Sequence, residues 1–300
     1  DGALLVRDNA VLTGNVRMGA RNSSAFISEH ASMIGNMSFG DNHDGLSLSG
    51  AAALTGDLAF GNGANVLGLS DGATMKGNAV FGQGDDEADL GGAATLTGNL
   101  TFGDGTNKLT LGNGTAKFIG NATFGAGSDT VYQAASTSIT GNIDLGGGDD
   151  LLSLFANSVL IGDVAFGDGA DRLTLAGAAQ LAGKLGFGAG NDAMTLGGTS
   201  VFVGNADFAG GGTDMLTLND TAAFLGTLTN AQNLAVTVNG GLFGVAGTGT
   251  TSIGSLSVGA GGALSVTINA AANTATRYQI AGNASFADRK STRLNSSHTD

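Results

Sequence analysis

The chain contains no proline, no cysteine and no tryptophan, and only 12 Lys and Arg against 25 Asp and Glu. Each shortage excludes something. Without proline there is neither a collagen-type helix nor a Pro-rich linker. Without cysteine no disulfide framework can hold the fold, so an exported protein of this sequence draws its stability from elsewhere. A chain that must stay unfolded while it crosses a narrow pore also gains from that lack. A formal charge of −13 and a pI near 4.3 leave no basic stripe, which disfavours nucleic acid and anionic membrane surfaces. Lys and Glu are scarce beside Gly, Thr, Asn and Leu, which disfavours helices. No stretch reaches the ~18 uninterrupted apolar residues of a transmembrane helix. Asp1 is neither an initiator Met nor the start of a secretory leader, so the chain reads as beginning inside a longer protein. What abounds is glycine, 54 of 300 residues, beside a hydrophobic content of 42%, enough to bury a core.

Glycine is also regular. It recurs at Gly14, Gly35, Gly56, Gly77, Gly98, Gly120, Gly141, Gly162, Gly183, Gly204 and Gly226, a period of 21 with two slips to 22. The slips fall in Gly112-Asn113-Gly114 and Gly210-Gly211-Gly212, corners that can absorb one residue. The next position is usually Asn or Asp, from Asn15 and Asn36 to Asp163 and Asn205. Four residues past the glycine stands a large apolar side chain: Met18, Phe39, Phe60, Phe81, Phe102, Phe124, Leu145, Phe166, Phe187, Phe208. Nine or ten past it stands Asp44, Asn65, Asp86, Asn107, Asp129, Asp150, Asp171, Asp192 or Asp214. A small-then-large pair such as Ala73/Met75 or Ala179/Leu181 closes the repeat.

Within a repeat the apolar residues alternate in three short groups, as in Val164/Phe166, Leu173/Leu175 and Ala179/Leu181. Alternation is the signature of a strand with one buried face. Gly, Asn and Asp corners supply the sharp bends between groups. The expected fold is all-β: a right-handed parallel β-helix (β-solenoid) with about 21 residues and three short strands per coil, its hand taken from the general crossover rule. Coils stacked ~4.8 Å apart place each column above itself, so ten regular coils span roughly 50 Å. The Phe column becomes an internal stack and the Asn column an internal or corner ladder. A leucine-rich repeat has a similar period, but its helical return has no counterpart in these short, glycine-rich segments.

Three segments follow: regular solenoid over 1–226, an irregular β-rich end over 227–287, and a tail over 288–300. The tail, "DRKSTRLNSSH" from Asp288 to His298, fits neither the period nor the alternation and resembles the in-frame translation of a short-read sequencing adapter. It is read as an artefact, which makes both ends of the chain cuts. Coils cut open leave unpaired edges, so the isolated chain is expected to self-associate.

The coil Gly-Asn-x-x-Phe-Gly-x-Gly-x-Asp-x-Leu-x-Leu, followed by "NLAVTVNGG" and "GGALSVTINAAANTATRYQIAGNASFAD", resembles the passenger of bacterial autotransporters, the type V secretion family. The likeness covers roughly residues 1–287, and the stretch 256–287 is similar to the region just before the outer-membrane barrel. It implies export, passage through the protein's own C-terminal outer-membrane barrel, which is missing from this chain, and display at the surface of, or release from, a Gram-negative cell. It also implies a structural or adhesive role towards a host or neighbouring cell.

The residues offer little chemistry. His30 and His43 read as solvated corner or pre-strand residues, His298 belongs to the tail, and no G-x-S-x-G elbow is present. Asp85-Asp86 and Asp149-Asp150 are adjacent pairs whose side chains should splay, so neither reads as an acid/base dyad. A sugar platform needs exposed aromatics, and most Phe fall in inward columns, leaving Tyr132, Phe155, Tyr278 and a few others, of which Tyr132 and Phe155 are irregular from coil to coil and give a weak hint of binding; the acid-plus-Arg cluster of a polysaccharide-acting β-helix enzyme is absent, and the outward Thr/Ser row at Thr110, Ser153, Thr174, Thr195 and Thr217 reads as ordinary strand surface. The serious alternative is calcium held between coils by the aspartate ladder, because "FGDGADRLTL" carries the GxGxD part of a calcium nonapeptide. Against it, Phe166 replaces the motif's first Gly, and Asn65 and Asn107 remove charge from two rungs. The expectation is that Asp171 and its equivalents cap or solvate the turn. No catalytic, cofactor-binding or metal residue is assigned, and the chain is read as a non-enzyme without cofactor.

Overall fold

The computed structural model describes residues 2–287; the tail at 288–300 lies outside them. These residues form a parallel β-solenoid with no α-helix. One coil shows the plan. Val66–Leu69 is the first strand, Thr74–Lys76 the second and Ala79–Val80 the third, and the next coil begins at Glu87–Leu90. Each strand pairs in parallel with its equivalent one coil on, as in Val66↔Glu87, Thr74↔Thr95 and Ala79↔Leu100. Backbone hydrogen bonds are thereby made between coils, and each strand needs only two to four residues.

Alternation decides what enters the core. In that coil Leu67, Leu69, Ala73, Met75, Ala79 and Phe81 are all buried. The Phe column forms a face-to-face stack. Phe39, Phe60, Phe81, Phe102 and Phe124 follow one another with centroids 4.5–4.9 Å apart. Leu145 interrupts, and Phe166, Phe187 and Phe208 resume at 4.7 and 4.8 Å. The coil spacing sets this distance, and parallel rings offset by it gain attraction beyond their area.

The bend between second and third strands softens along the chain. In Gln180–Phe187 and Val201–Phe208 the two strands run as one of eight residues, and in Ala223–Thr229 as one of seven. Beyond Gly226 the stacking continues as Ala235–Val245 on Ser255–Ser265, with a register shift between Val238 and Gly240. A short parallel pair, Thr250–Ile253 with Arg277–Ile280, and an antiparallel pair, Ile268–Asn269 with Thr274–Ala275, complete this end.

One column has no sequence signature. The corner between first and second strands holds a left-handed residue in coil after coil: Asp8, Glu29, Gly50, Asp71, Gly92, Gly114, Ala135, Ala156, Gly177, Gly198 and Asp220, all with φ between 56° and 72°. Ala135 and Ala156, both at φ 57°, hold this conformation against their Cβ. Ala156→Gly is therefore expected to raise stability by about 0.5–1 kcal/mol, the relief outweighing the extra freedom of the unfolded chain. Urea unfolding checks this, and a less stable variant would contradict it.

Candidate functional site: the buried aspartate column

The corner after each Phe is Gly-x-Gly-x-Asp. Its glycines lie against the corner of the preceding coil: a Cβ at Gly84 would strike the Gly63 carbonyl, and one at Gly105 the Gly84 carbonyl. With the backbone this close, the Asp side chain turns inward. Asp44, Asp86, Asp129, Asp150, Asp171, Asp192 and Asp214, with Asn65 and Asn107 in the same column, are all at most 3% exposed. This corrects the expectation of carboxylates that solvate the turn. Adjacent corner residues do splay: Asp85 and Asp149 are exposed while Asp86 and Asp150 are buried.

Each inward side chain accepts, through Oδ1, the backbone N–H of the equivalent residue one coil earlier. The series runs unbroken from Ser23 N–H to Asp44 (2.6 Å), through Asn65 N–H to Asp86 (2.8 Å) and Asp150 N–H to Asp171 (2.9 Å), to Asp192 N–H on Asp214 (3.0 Å). The column thus satisfies one buried backbone donor per coil. The second oxygen is different. Oδ2 of Asp44, Asp86, Asp129, Asp150, Asp171 and Asp192 is buried without a hydrogen-bond partner.

Burial raises the carboxyl pKa throughout the column. Asp86, Asp129 and Asp192 are pushed up to about 6 despite the backbone N–H that each accepts. Asp150 reaches about 7, because the charges of Asp171, Asp129 and Asp149 add to its desolvation. Asp44, Asp171 and Asp214 are raised for the same leading reason. Solvent does not screen repulsion along this buried column as it would at exposed corners.

The Asn column behaves in the opposite way. It is a corner ladder on the outside, and each side-chain Oδ1 accepts from the coil that follows, as in Asp57 N–H to Asn36, Asn99 N–H to Asn78 and Lys184 N–H to Asp163. Two side-chain ladders thus tie successive coils in opposite directions.

Other residues singled out by sequence stay apart. His30 and His43 are exposed, and His43 Nδ1 accepts the Ala64 N–H at 3.1 Å. Tyr132 and Phe155 do meet, tilted at 5.7 Å, and form a half-buried aromatic pair. Tyr278 is no platform: its ring packs on Phe243 and its hydroxyl donates to the Ser265 carbonyl at 2.9 Å. Ser153 in the outward row is buried, and Thr110, Thr174, Thr195 and Thr217 are half-buried. Among the described residues no group of three or more His, Cys, Asp or Glu side chains gathers as a metal site. The depressions are small, such as one of about 250 Å³ lined by Phe26, Ser47, Val66 and Gly68.

No protein family, curated protein or solved structure matches the chain. Through one oxygen each, the conspicuous polar side chains serve the stacking of coils, and the outward column of the first strand runs Ser47, Gly68, Asp89, Thr110, Tyr132, Ser153 and Thr174.

Proposed function

We propose that this chain is the rigid stalk of a cell-surface or secreted passenger of the type V secretion class, with a structural or adhesive role. The observation that carries the reading is the coil-on-coil stacking of strands that runs from Gly2–Val6 to Ala284–Phe286. Such a scaffold holds a surface out from its anchor and is built coil by coil, each coil templating the next through its open edge. The cysteine-free composition suits a chain that folds only after export. The irregular aromatic pair at Tyr132 and Phe155 is the surface feature that breaks the coil-to-coil repetition, and catalysis has no part in this reading.

The test is the complete reading frame expressed in a Gram-negative host. A barrel sequence following the solenoid, with the solenoid removed from intact cells by added protease, is the expected result. A frame that ends without a barrel, or a solenoid retained in the cytoplasm, would sink the proposal.

A further inference from the structure

Two asparagines reveal what the unpaired Oδ2 atoms face. Asn65 Nδ2 donates to the Gly61 and Gly63 carbonyls at 3.1 and 2.9 Å, and to Asp86 Oδ1 at 2.9 Å. Asn107 Nδ2 donates to the Gly103 and Gly105 carbonyls at 3.0 and 3.3 Å. Those acceptors lie four and two residues before the asparagine. The same glycines precede the aspartates: Gly82 and Gly84 before Asp86, Gly125 and Gly127 before Asp129, Gly146 and Gly148 before Asp150, Gly188 and Gly190 before Asp192. Oδ1 fills the same role in both residue types, as the acceptor for the previous coil. Oδ2 of these aspartates therefore takes the place of a carboxamide NH₂ among carbonyl acceptors. An ionised carboxylate can only accept there, whereas a carboxylic acid can donate.

We infer that the buried aspartates are carried as carboxylic acids that donate from Oδ2 to the glycine carbonyls of their own corner, so that the column is a proton-binding device that tightens the solenoid on acidification. The protonated acid is a near isostere of the asparagine already used at Asn65 and Asn107. Burial favours the neutral form and outweighs the backbone donors, and the Asn65 and Asn107 side chains at Asp86 and Asp129, that favour the charged one; neighbouring carboxylates add to burial. Asp150 is faced by Asp129 and Asp171 from the adjoining coils and flanked by Asp149. Asp85 stands beside Asp86, Asp104 near Asp129, Asp149 and Asp168 near Asp171, and Asp171 and Asp214 near Asp192. His43, beside Asp44, is the neighbour that acts in the opposite direction.

The direction of the pH effect follows. Unfolded aspartates release their protons near 3.8, while folded rungs hold them to about 6 or 7. Between those values the folded state binds more protons, so stability is greatest below the unfolded value and is lost as pH rises through the folded one. One rung at about 6 changes the folding constant by up to about a hundredfold across that window.

The test is urea unfolding of the full chain between about pH 7.5 and pH 5, with a chelator present, under the linkage relation. The folding constant is expected to rise at least about tenfold as pH falls. Asp150→Asn should stabilise the protein at the upper pH and flatten the slope. Asp163→Asn removes the same charge from the exposed ladder, where Asn is the usual residue, and should leave the slope unchanged. Infrared spectroscopy of the unsubstituted protein reads the acid directly, as a protonated-carboxyl band at about pH 5.5 that disappears on unfolding. That band decides the matter even if Asp150→Asn fails to fold. Stability that is flat or falls on acidification, or the absence of the band, would overturn the inference. So would calcium that stabilises the protein at the upper pH, because an ion rather than a proton would then occupy the column.

Discussion

Gly162→Ala should destroy the cooperative unfolding of the solenoid or lower its stability by more than about 4 kcal/mol. Gly162 has φ +155°, a conformation that L side chains rarely adopt, and its Cβ would overlap the Gly141 carbonyl of the preceding coil. The obstacle is backbone, so no rotamer change relieves it. Nor can the coil simply retreat, because Gly183 makes the same approach to the Gly162 carbonyl from the other side. The strain must spread through neighbouring coils, whose spacing is set by hydrogen bonds. Gly68→Ala is the control. Gly68 sits in an outward strand position, and nothing lies within 4 Å of its added Cβ. That variant should be neutral to within about 0.5 kcal/mol. Circular dichroism and urea unfolding compare the two, and equal stability would show that the column glycine is not there for close approach.

Phe102→Ala ranks second, with an expected loss of about 3–5 kcal/mol. Phe102 is 3% exposed and lies between Phe81 at 4.7 Å and Phe124 at 4.5 Å. Truncation removes its transfer energy, leaves a void that stacked strands cannot close, and ends two ring contacts worth about 0.5–1.5 kcal/mol each. The column itself suggests a milder change, since Leu145 fills the equivalent place and is fully buried. Phe102→Leu should cost less than half as much. Because each coil touches only its neighbours, Phe102→Ala should also split the unfolding transition, the flanking coils melting first. A single unshifted transition would refute this.

Much of the fold is legible in the residues because a stacked coil writes each structural position as a column. The 21-residue period, the three alternating groups and the Phe and Leu columns sit where the recurrence places them, and the two slips to 22 fall in corners. The left-handed corner was not legible, since Asp, Glu, Gly and Ala all occupy it. There the next coil imposes the conformation, and no residue type records it. The Tyr132–Phe155 pair was visible only as two irregular aromatics, because its members come from different coils and different positions.

The aspartate column marks the boundary most clearly. The sequence alone determined that an Asp or Asn recurs at one corner and that a glycine pair precedes it. It could not determine which way the side chain turns, because a Gly-x-Gly-x-Asp corner can solvate its carboxylate, bind an ion or bury it. Tertiary structure decided this. With successive corners in backbone contact, one N–H per coil is sealed from water and needs an acceptor from the next coil. The inward carboxyl supplies it through Oδ1, and the second oxygen is buried along with the first.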